Sequence, residues 1–314
     1  MPQTCGRELN TDSKAMKQSI SFLLFCSPLL FLLTACDPET TNLDMAGMFS
    51  GSSPRADQRF EDSQAYNTQH GIDTLSAQAE CYRVYVCTDI HIDTSRRNYL
   101  AFLTDFHADN DAPLAVHLGD LINAQKHWQF FVETWQIAPR PADKRDTMMV
   151  TLGNHDIYFG QWTEFKQYFH TSSYWFVVQT PSGAHDFYLV FDSAEGVLGE
   201  KQLAWLRSTL RWAKGQPFRH RIVCTHTHLF MQDYSQGHTS NYPLEETYEL
   251  LDLFASNGIE LYLSGHDHCR EVTSLQGCTY IVVDALEDPA EDPAYLVATI
   301  SDRITYDFLS VTRK

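Results

Sequence analysis

The chain has 314 residues, enough for one large domain or two small ones, with an ordinary share of apolar (43%) and charged (20%) residues. Its formal net charge of −17, from 40 acidic and 23 basic residues, excludes the basic footprint that duplex nucleic acid requires. An anionic substrate stays open, because bound metal ions reverse a local field.

The first predicted element is a targeting segment. Ile20 to Leu33 is almost wholly apolar, with Lys14 and Lys17 ahead of it. The run is too short for a spanning helix and has the flanks of a secretory signal. It ends in Leu33-Thr34-Ala35-Cys36, which resembles the bacterial lipoprotein cleavage box. That resemblance implies removal of residues 1–35, lipidation of Cys36, and an exported protein anchored to a membrane, facing the periplasm or the cell surface. The alternative is a plain signal peptide that happens to contain Cys36. Met16 begins a more typical signal than Met1, so residues 1–15 are a candidate start-site artefact. Residues 36–78 read as the lipid site and a tether, rich in Ser, Thr, Asp, Asn, Gln and Gly and without a sustained period. A few apolar residues there (Met45, Met48, Phe49, Phe60) are able to dock on a domain. The domain itself is expected over 79–314. Of its five cysteines, Cys87 and Cys224 end apolar runs as buried small residues, and Cys269 with Cys278 is a candidate bridge.

From Tyr82 the chain alternates strand and helix. Arg83 to Cys87 is a β-rich run, followed by a helix with Tyr99, Leu103 and Phe106 on one face. Leu114 to His117 is the second strand, and the next helix carries Trp128, Phe131 and Trp135. Met148 to Leu152 is the third. This order argues for a parallel sheet with helices on its faces. Tyr174 to Val178 and Phe187 to Phe191 form two more strands, joined by the Pro181-Ser182-Gly183 turn. Glu200 to Arg211 is a helix, Arg221 to Thr225 a strand, and Pro243 opens a helix that Asn257-Gly258 closes. Ile259 to Ser264 is the last strand of this kind, and alternating strands follow from about Val272.

Five of these apolar runs end, at the C-terminal side, in Asp, Asn or His. In an α/β sheet such ends converge on one edge, where ligands bind. The inventory is Asp89, His91, Asp120, Asn154, His226, His266 and His268. Carboxylate, amide and imidazole groups suit Mn, Fe and Zn. Seven side chains exceed the needs of one ion, whereas two divalent or trivalent ions sharing a carboxylate would use them all.

The ordered pieces Asp89-Ile90-His91, Gly119-Asp120, Gly153-Asn154-His155-Asp156, His226 and Gly265-His266-Asp267-His268 resemble those of the calcineurin-like metallophosphoesterase family. The resemblance spans about residues 82–270. It implies a four-layer α/β/β/α sandwich of two mixed sheets. It also implies that Asp89, His91 and His268 hold one metal, that Asn154, His226 and His266 hold the other, and that Asp120 bridges them. Two ions about 4 Å apart would turn a bridging water into the nucleophile against a small phosphorylated substrate. His155 would stabilise the transition state or protonate the leaving oxygen.

Departures narrow the class. Purple acid phosphatases carry a tyrosine ligand where this chain has Asn123, and serine/threonine phosphatases carry Asp and Arg where it has Asn123 and Ala124. The chain is therefore more similar to the bacterial phosphodiesterase-like branch, acting on diesters or small organophosphates. The alternatives are an inactive metal-binding scaffold of the same fold and an exported nuclease. His228, His238 and Asn123 are further candidates for lining the pocket. The aromatic residues Tyr158, Phe159, Trp162, Phe165, Tyr168 and Phe169 read as core packing, and Glu287-Asp288 and Glu291-Asp292 as a solvated loop. No protein partner is predicted.

Overall fold

The computed structural model describes residues 55–71, 74–140, 147–230 and 242–311. The signal segment, Cys36, the start of the tether with Met45, Met48 and Phe49, and His238 lie outside the described residues. In chain order the elements are α1 (Ala56–His70), β1 (Thr74–Ser76), β2 (Tyr82–Cys87), α2 (Arg97–Ala108), β3 (Leu114–His117), α3 (Trp128–Ile137), β4 (Thr147–Val150), α4 (Trp162–Phe169), β5 (Tyr174–Gln179) and β6 (His185–Val190). They continue with α5 (Glu200–Lys214), β7 (Arg221–Cys224), α6 (Leu244–Asn257), β8 (Leu261–Ser264), β9 (Glu271–Leu275), β10 (Cys278–Val282), β11 (Ala294–Ile300) and β12 (Ile304–Ser310).

The strands form two mixed sheets, as the resemblance implies. One runs β1-β5-β6-β7-β8-β10-β9 and the other β12-β11-β2-β3-β4. Within them β2, β3 and β4 are mutually parallel, as are β6, β7, β8 and β10. The period of two along each strand decides which layer a side chain joins. In β2, Tyr82, Val84 and Val86 face the other sheet and meet Tyr188, Val190, Ile222 and Leu263. Tyr85 and Cys87 point the other way, into a core with Phe102, Phe106 and Phe131 of α2 and α3. On the far side, Phe187, Leu189 and Val223 pack against Leu206, Leu210, Leu250 and Phe254 of α5 and α6. Each such side chain contributes about 1.5–3 kcal/mol by leaving water. The result is four layers: helices, five strands, seven strands, helices. Helix α6 starts after Pro243 and stops at Gly258, whose φ of 69° closes it in the left-handed conformation.

The reading of residues 36–78 as a tether is corrected over residues 56–76. Helix α1 is polar and shows no apolar stripe because it docks mainly through charge. The Arg59 guanidinium is buried and donates to both Asp192 carboxylate oxygens, at 2.8 and 3.2 Å, and to Glu195 at 3.2 Å. The Ala56 N–H donates to the same Glu195 carboxylate at 2.8 Å, and Phe60 packs on Trp205. Strand β1 then pairs in parallel with β5, adding an edge strand to the larger sheet. Two smaller expectations also change. Cys278 is a free buried thiol, so it forms no bridge with Cys269. Asp288 is not merely solvated: it accepts hydrogen bonds from the Arg97 and Asn98 N–H groups and so caps the start of α2. No helix among the described residues is long and apolar enough to cross a membrane.

Arg59→Met leaves Asp192 and Glu195 buried without their cation. Unfolding in urea is expected to show a loss of about 3–5 kcal/mol; an unchanged midpoint would mean that α1 does not clasp the domain.

Candidate metal centre

The seven candidate ligands stand on loops at the C-terminal ends of five parallel strands. Asp89 and His91 follow β2, Asp120 follows β3, Asn154 follows β4, His226 follows β7, and His266 and His268 follow β8. Backbone bonds lock these loops together. The Asp89 N–H donates to Gly119 O at 3.1 Å, His91 N–H to Asp120 O at 3.0 Å, and Gly265 N–H to His226 O at 2.8 Å. Bonds at this edge also tie one sheet to the other: His226 Nδ1–H donates to Leu118 O at 2.7 Å, and the His266 N–H donates to Asp89 Oδ2 at 2.9 Å.

The bond to Leu118 has a chemical consequence. A carbonyl only accepts, so Nδ1 of His226 carries a proton and Nε2 is the nitrogen that a cation would engage in place of its own proton. That atom lies 2.9 Å from Asn154 Oδ1, 3.2 Å from His266 Nδ1 and 3.4 Å from Asp120 Oδ2. The Asn154 amide is oriented by Tyr158, whose hydroxyl accepts its Nδ2–H at 2.7 Å, so the oxygen is the end turned inward. Beside this group, His91 Nε2 is 3.2 Å from His268 Nε2 and 3.7 Å from Asp120 Oδ2. Asp89 Oδ1 is buried without a hydrogen bond, 3.4 Å from His268 Nε2. Asp89, His91 and His268 form one triad of convergent ligand atoms; Asp120, His226 and His266 form a second; His91, Asp120 and His155 form a third. Acceptor atoms crowded on one another in this way fit a pair of cations, with Asp120 common to both groups.

The backbone pays for this convergence. Asp89, His91, Asp120, His266 and His268 all have positive φ, between 43° and 73°. Such residues are uncommon, and Asp and His are among the side chains that tolerate the left-handed region best. Gly265 and Gly153 serve closeness instead. A Cβ on Gly265 would collide with the Thr88 side chain and come within 2.6 Å of Asp89 Oδ2; one on Gly153 would collide with Asp120.

Electrostatics follow from burial. Desolvation raises the Asp120 carboxyl, but the His226 and His155 imidazoles override it and hold the group well below the usual carboxylate range. Asp89 is likewise lowered against its own burial, chiefly by His268. Burial pulls His91 down to about 4 and, with His226 beside it, His266 to about 3. His226 is itself subject to desolvation, which lowers it, but Asp120 lifts it to about 9.

Several supporting residues escaped the sequence reading. Asp156 is buried, is pushed up to about 8 by desolvation and Asp120, and accepts the Leu121 and Gly153 N–H groups, tying two ligand loops together. Thr88 Oγ1 donates to Asp89 at 2.7 Å. Ser193 Oγ accepts from the His226 and Thr227 N–H groups. Glu287 lies 3.7 Å from His268 Nδ1, which gives part of the acidic loop a place at the site. Asp156 and Glu287 had a usable signal, being within or next to motif segments; Ser193 had none. His155 is half-buried, with its N–H on Asp120 Oδ1 at 2.8 Å and its ring 4.5 Å from His91. The two pocket candidates belong to none of the triads. Asn123 is exposed and lines a cavity of about 40 Å³ together with His91. His228 is buried against Phe230, 3.7 Å from Glu271.

The fold has solved counterparts. GAP50, the anchor in the inner membrane complex of Plasmodium, superposes with a TM-score of 0.55 at 17% identity, covering 74% of this chain and 85% of that one. Purple acid phosphatase PPD1 from yellow lupin (Lupinus luteus) gives 0.59 at 15% identity, over 75% of this chain and 52% of that one, so this chain spans about half of its length. A dimetal phosphatase from Danio rerio gives 0.53 at 13% identity, over 74% and 99%. No curated protein sequence matches this chain.

The close approach at Gly265 generates a test. Gly265→Ala is expected to cost about 1–3 kcal/mol in chemical denaturation by displacing Thr88 and Asp89. Equal stability of the variant would show that the β2 and β8 loops do not meet as described. With the geometry in place, the remaining observation is that residues 82–270, more than half of the chain, match the model of the calcineurin-like phosphoesterases. The chain belongs to this family and is a metallophosphoesterase, a hydrolase of phosphoric esters.

Proposed function

We propose that this chain hydrolyses phosphodiesters or small organophosphates at a two-metal centre in which Asp89, His91 and His268 hold one ion, Asn154, His226 and His266 hold the other, and Asp120 serves both. The observation that carries this reading is the convergence on His226 Nε2 of Asn154 Oδ1, His266 Nδ1 and Asp120 Oδ2, all within 3.4 Å. The nitrogen and oxygen donor set suits Mn, Fe or Zn. Metal ions bound there would supply Lewis acidity, polarising both the ester phosphate and the attacking water.

The chain's own residues do the rest. Asp156 and Thr88 hold the ligand loops, and Tyr158 keeps the Asn154 oxygen inward. His155, fixed through its backbone on Asp120, donates a proton to the leaving oxygen. Small esters are favoured over phosphoproteins because Asn123 and Ala124 stand where protein phosphatases place an orienting carboxylate and a phosphate-gripping arginine.

Turnover of an aryl phosphodiester and an aryl phosphomonoester with Mn, Zn or Fe, together with metal analysis, tests this reading. His155→Ala is expected to keep both metals and lose about 10²–10⁴-fold in kcat. Asp120→Asn is expected to lose bound metal as well as activity. Two bound metals with no turnover of either ester would instead favour a scaffold.

We also read the chain as exported and held at a membrane by lipid on Cys36, supported by the apolar run at Ile20 to Leu33 and the Leu33-Thr34-Ala35-Cys36 box. Cys36→Ser is expected to move the protein from the membrane to the soluble fraction. Persistence at the membrane would refute the lipid anchor.

A further inference from the structure

Helix α1 lies ahead of residues 82–270, the part of the chain that carries the family pattern. It nevertheless reaches the metal centre through one loop. Strands β6 and β7 are parallel neighbours, with Val190 paired to Cys224 at their C-terminal ends. The segments that follow them, residues 191–196 and 225–228, therefore leave the sheet side by side. The second carries His226. The first contains none of the seven candidate ligands, yet its side chains are buried and bonded on two sides.

On one side, Asp192 and Glu195 hold α1. Asp192 takes the Arg59 guanidinium on both of its oxygens, and Glu195 takes Arg59 at 3.2 Å and Arg55 at 3.3 Å. Asp192 Oδ1 also accepts the Ala194 N–H at 3.0 Å, so the carboxylate that grips Arg59 shapes the backbone around Ser193. On the other side, Ser193 holds the ligand loop. Its Oγ accepts the His226 N–H at 3.2 Å and the Thr227 N–H at 2.9 Å, and lies 2.8 Å from Thr225 Oγ1. Its carbonyl accepts the Thr227 hydroxyl at 3.0 Å. Arg59, Asp192, Ser193, Thr225 and His226 are all fully buried, so a bond lost among them is not readily replaced by solvent. Ser193 thus fixes the His226 backbone, while Leu118 O fixes the ring at 2.7 Å. Those two anchors decide where Nε2 stands.

We propose that Ser193 is a positioning residue for the ion held by Asn154, His226 and His266, and that α1 sets the affinity for that ion by holding Ser193 in place through Arg59. The other ion is independent of α1, because Asp89, His91 and His268 stand on loops that make no bond to residues 191–196 among the described bonds. This rests on the two-metal reading given above and adds to it a residue that touches no metal and a helix outside the family pattern. Partners standing directly behind a ligand change metal affinity by about 10–100-fold when they are removed.

The test titrates the full chain with Mn(II). Binding is followed by calorimetry and by electron paramagnetic resonance, which distinguishes a coupled pair of ions from a single one. The unaltered protein is expected to bind two ions and give the signal of a pair. Ser193→Ala and Arg59→Met are each expected to keep one ion at unchanged affinity and to weaken the other by about 10–100-fold. A single-ion signal then appears at Mn(II) concentrations that give the pair in the unaltered protein. Arg59→Lys keeps the charge without the two-pronged grip on Asp192 and should fall between. Leu250→Ala destabilises the domain from the helical layer over the same sheet and should leave both affinities unchanged. Two tight ions in Ser193→Ala or in Arg59→Met, equal weakening of both ions, or the same selective loss in Leu250→Ala would overturn the proposal while leaving the hydrolase reading intact. Should Arg59→Met not fold, Ser193→Ala and Arg59→Lys decide the outcome. An unaltered protein that binds no pair of ions would overturn both.

Discussion

The constraint on which the rest depends is the burial of two carboxylates, Asp89 and Asp120, in the seam between two sheets. An ionised carboxylate is stable there only if cations or donors reach it. The protein supplies part of that compensation through backbone: the His155 N–H to Asp120 and the His266 N–H to Asp89. It supplies more through imidazoles, which pull both carboxyls down against the desolvation that would raise them. The remaining balance is left to whatever cation the convergent nitrogen and oxygen atoms hold. The same arrangement that makes the folded apo-site electrostatically costly therefore makes it a strong cation site, and stability and chemistry are coupled through it.

Support for the centre reaches outward in a traceable chain. Arg59 of α1 fixes Asp192 and Glu195. Ser193, between them, accepts the N–H groups of His226 and Thr227. Tyr262 of β8 then bonds to Thr227 O at 2.7 Å. A helix preceding the sheet-forming part of the chain is thereby tied to the loop that carries a candidate ligand. The function of α1 is positional, which explains a segment so polar having so many defined contacts.

Much of this was legible in the sequence, for identifiable reasons. Strands such as Leu114–His117 are short apolar runs ending in a polar cluster, and a parallel strand buried on both faces reads that way. The polar residues that follow them converge because the sheet directs them to one edge. Helix α1 was illegible because its cohesion is a buried ion-pair cluster with partners more than 130 residues away, and no local period reports such a contact. Ser193 and Tyr158 were missed because they act on other side chains or backbone, with no metal-ligand chemistry of their own. Phe159 was misplaced because a helical spacing of aromatic residues signals core, and only the left-handed kink turns this one out. The second sheet was expected from the family resemblance and not from periodicity.

The left-handed backbone at Asp89, His91, Asp120, His266 and His268 bears on how such a centre can be lost. At each position glycine, and to a lesser degree asparagine, adopts the required φ with less strain than the residue present. Replacing a buried carboxylate at the same time removes a charge that needs compensation. Single substitutions that abolish the chemistry can thus leave the domain as stable as before, or more so. At His91, His266 and His268, which accept no backbone N–H among the described bonds, loss of a ligand is the change that the fold resists least.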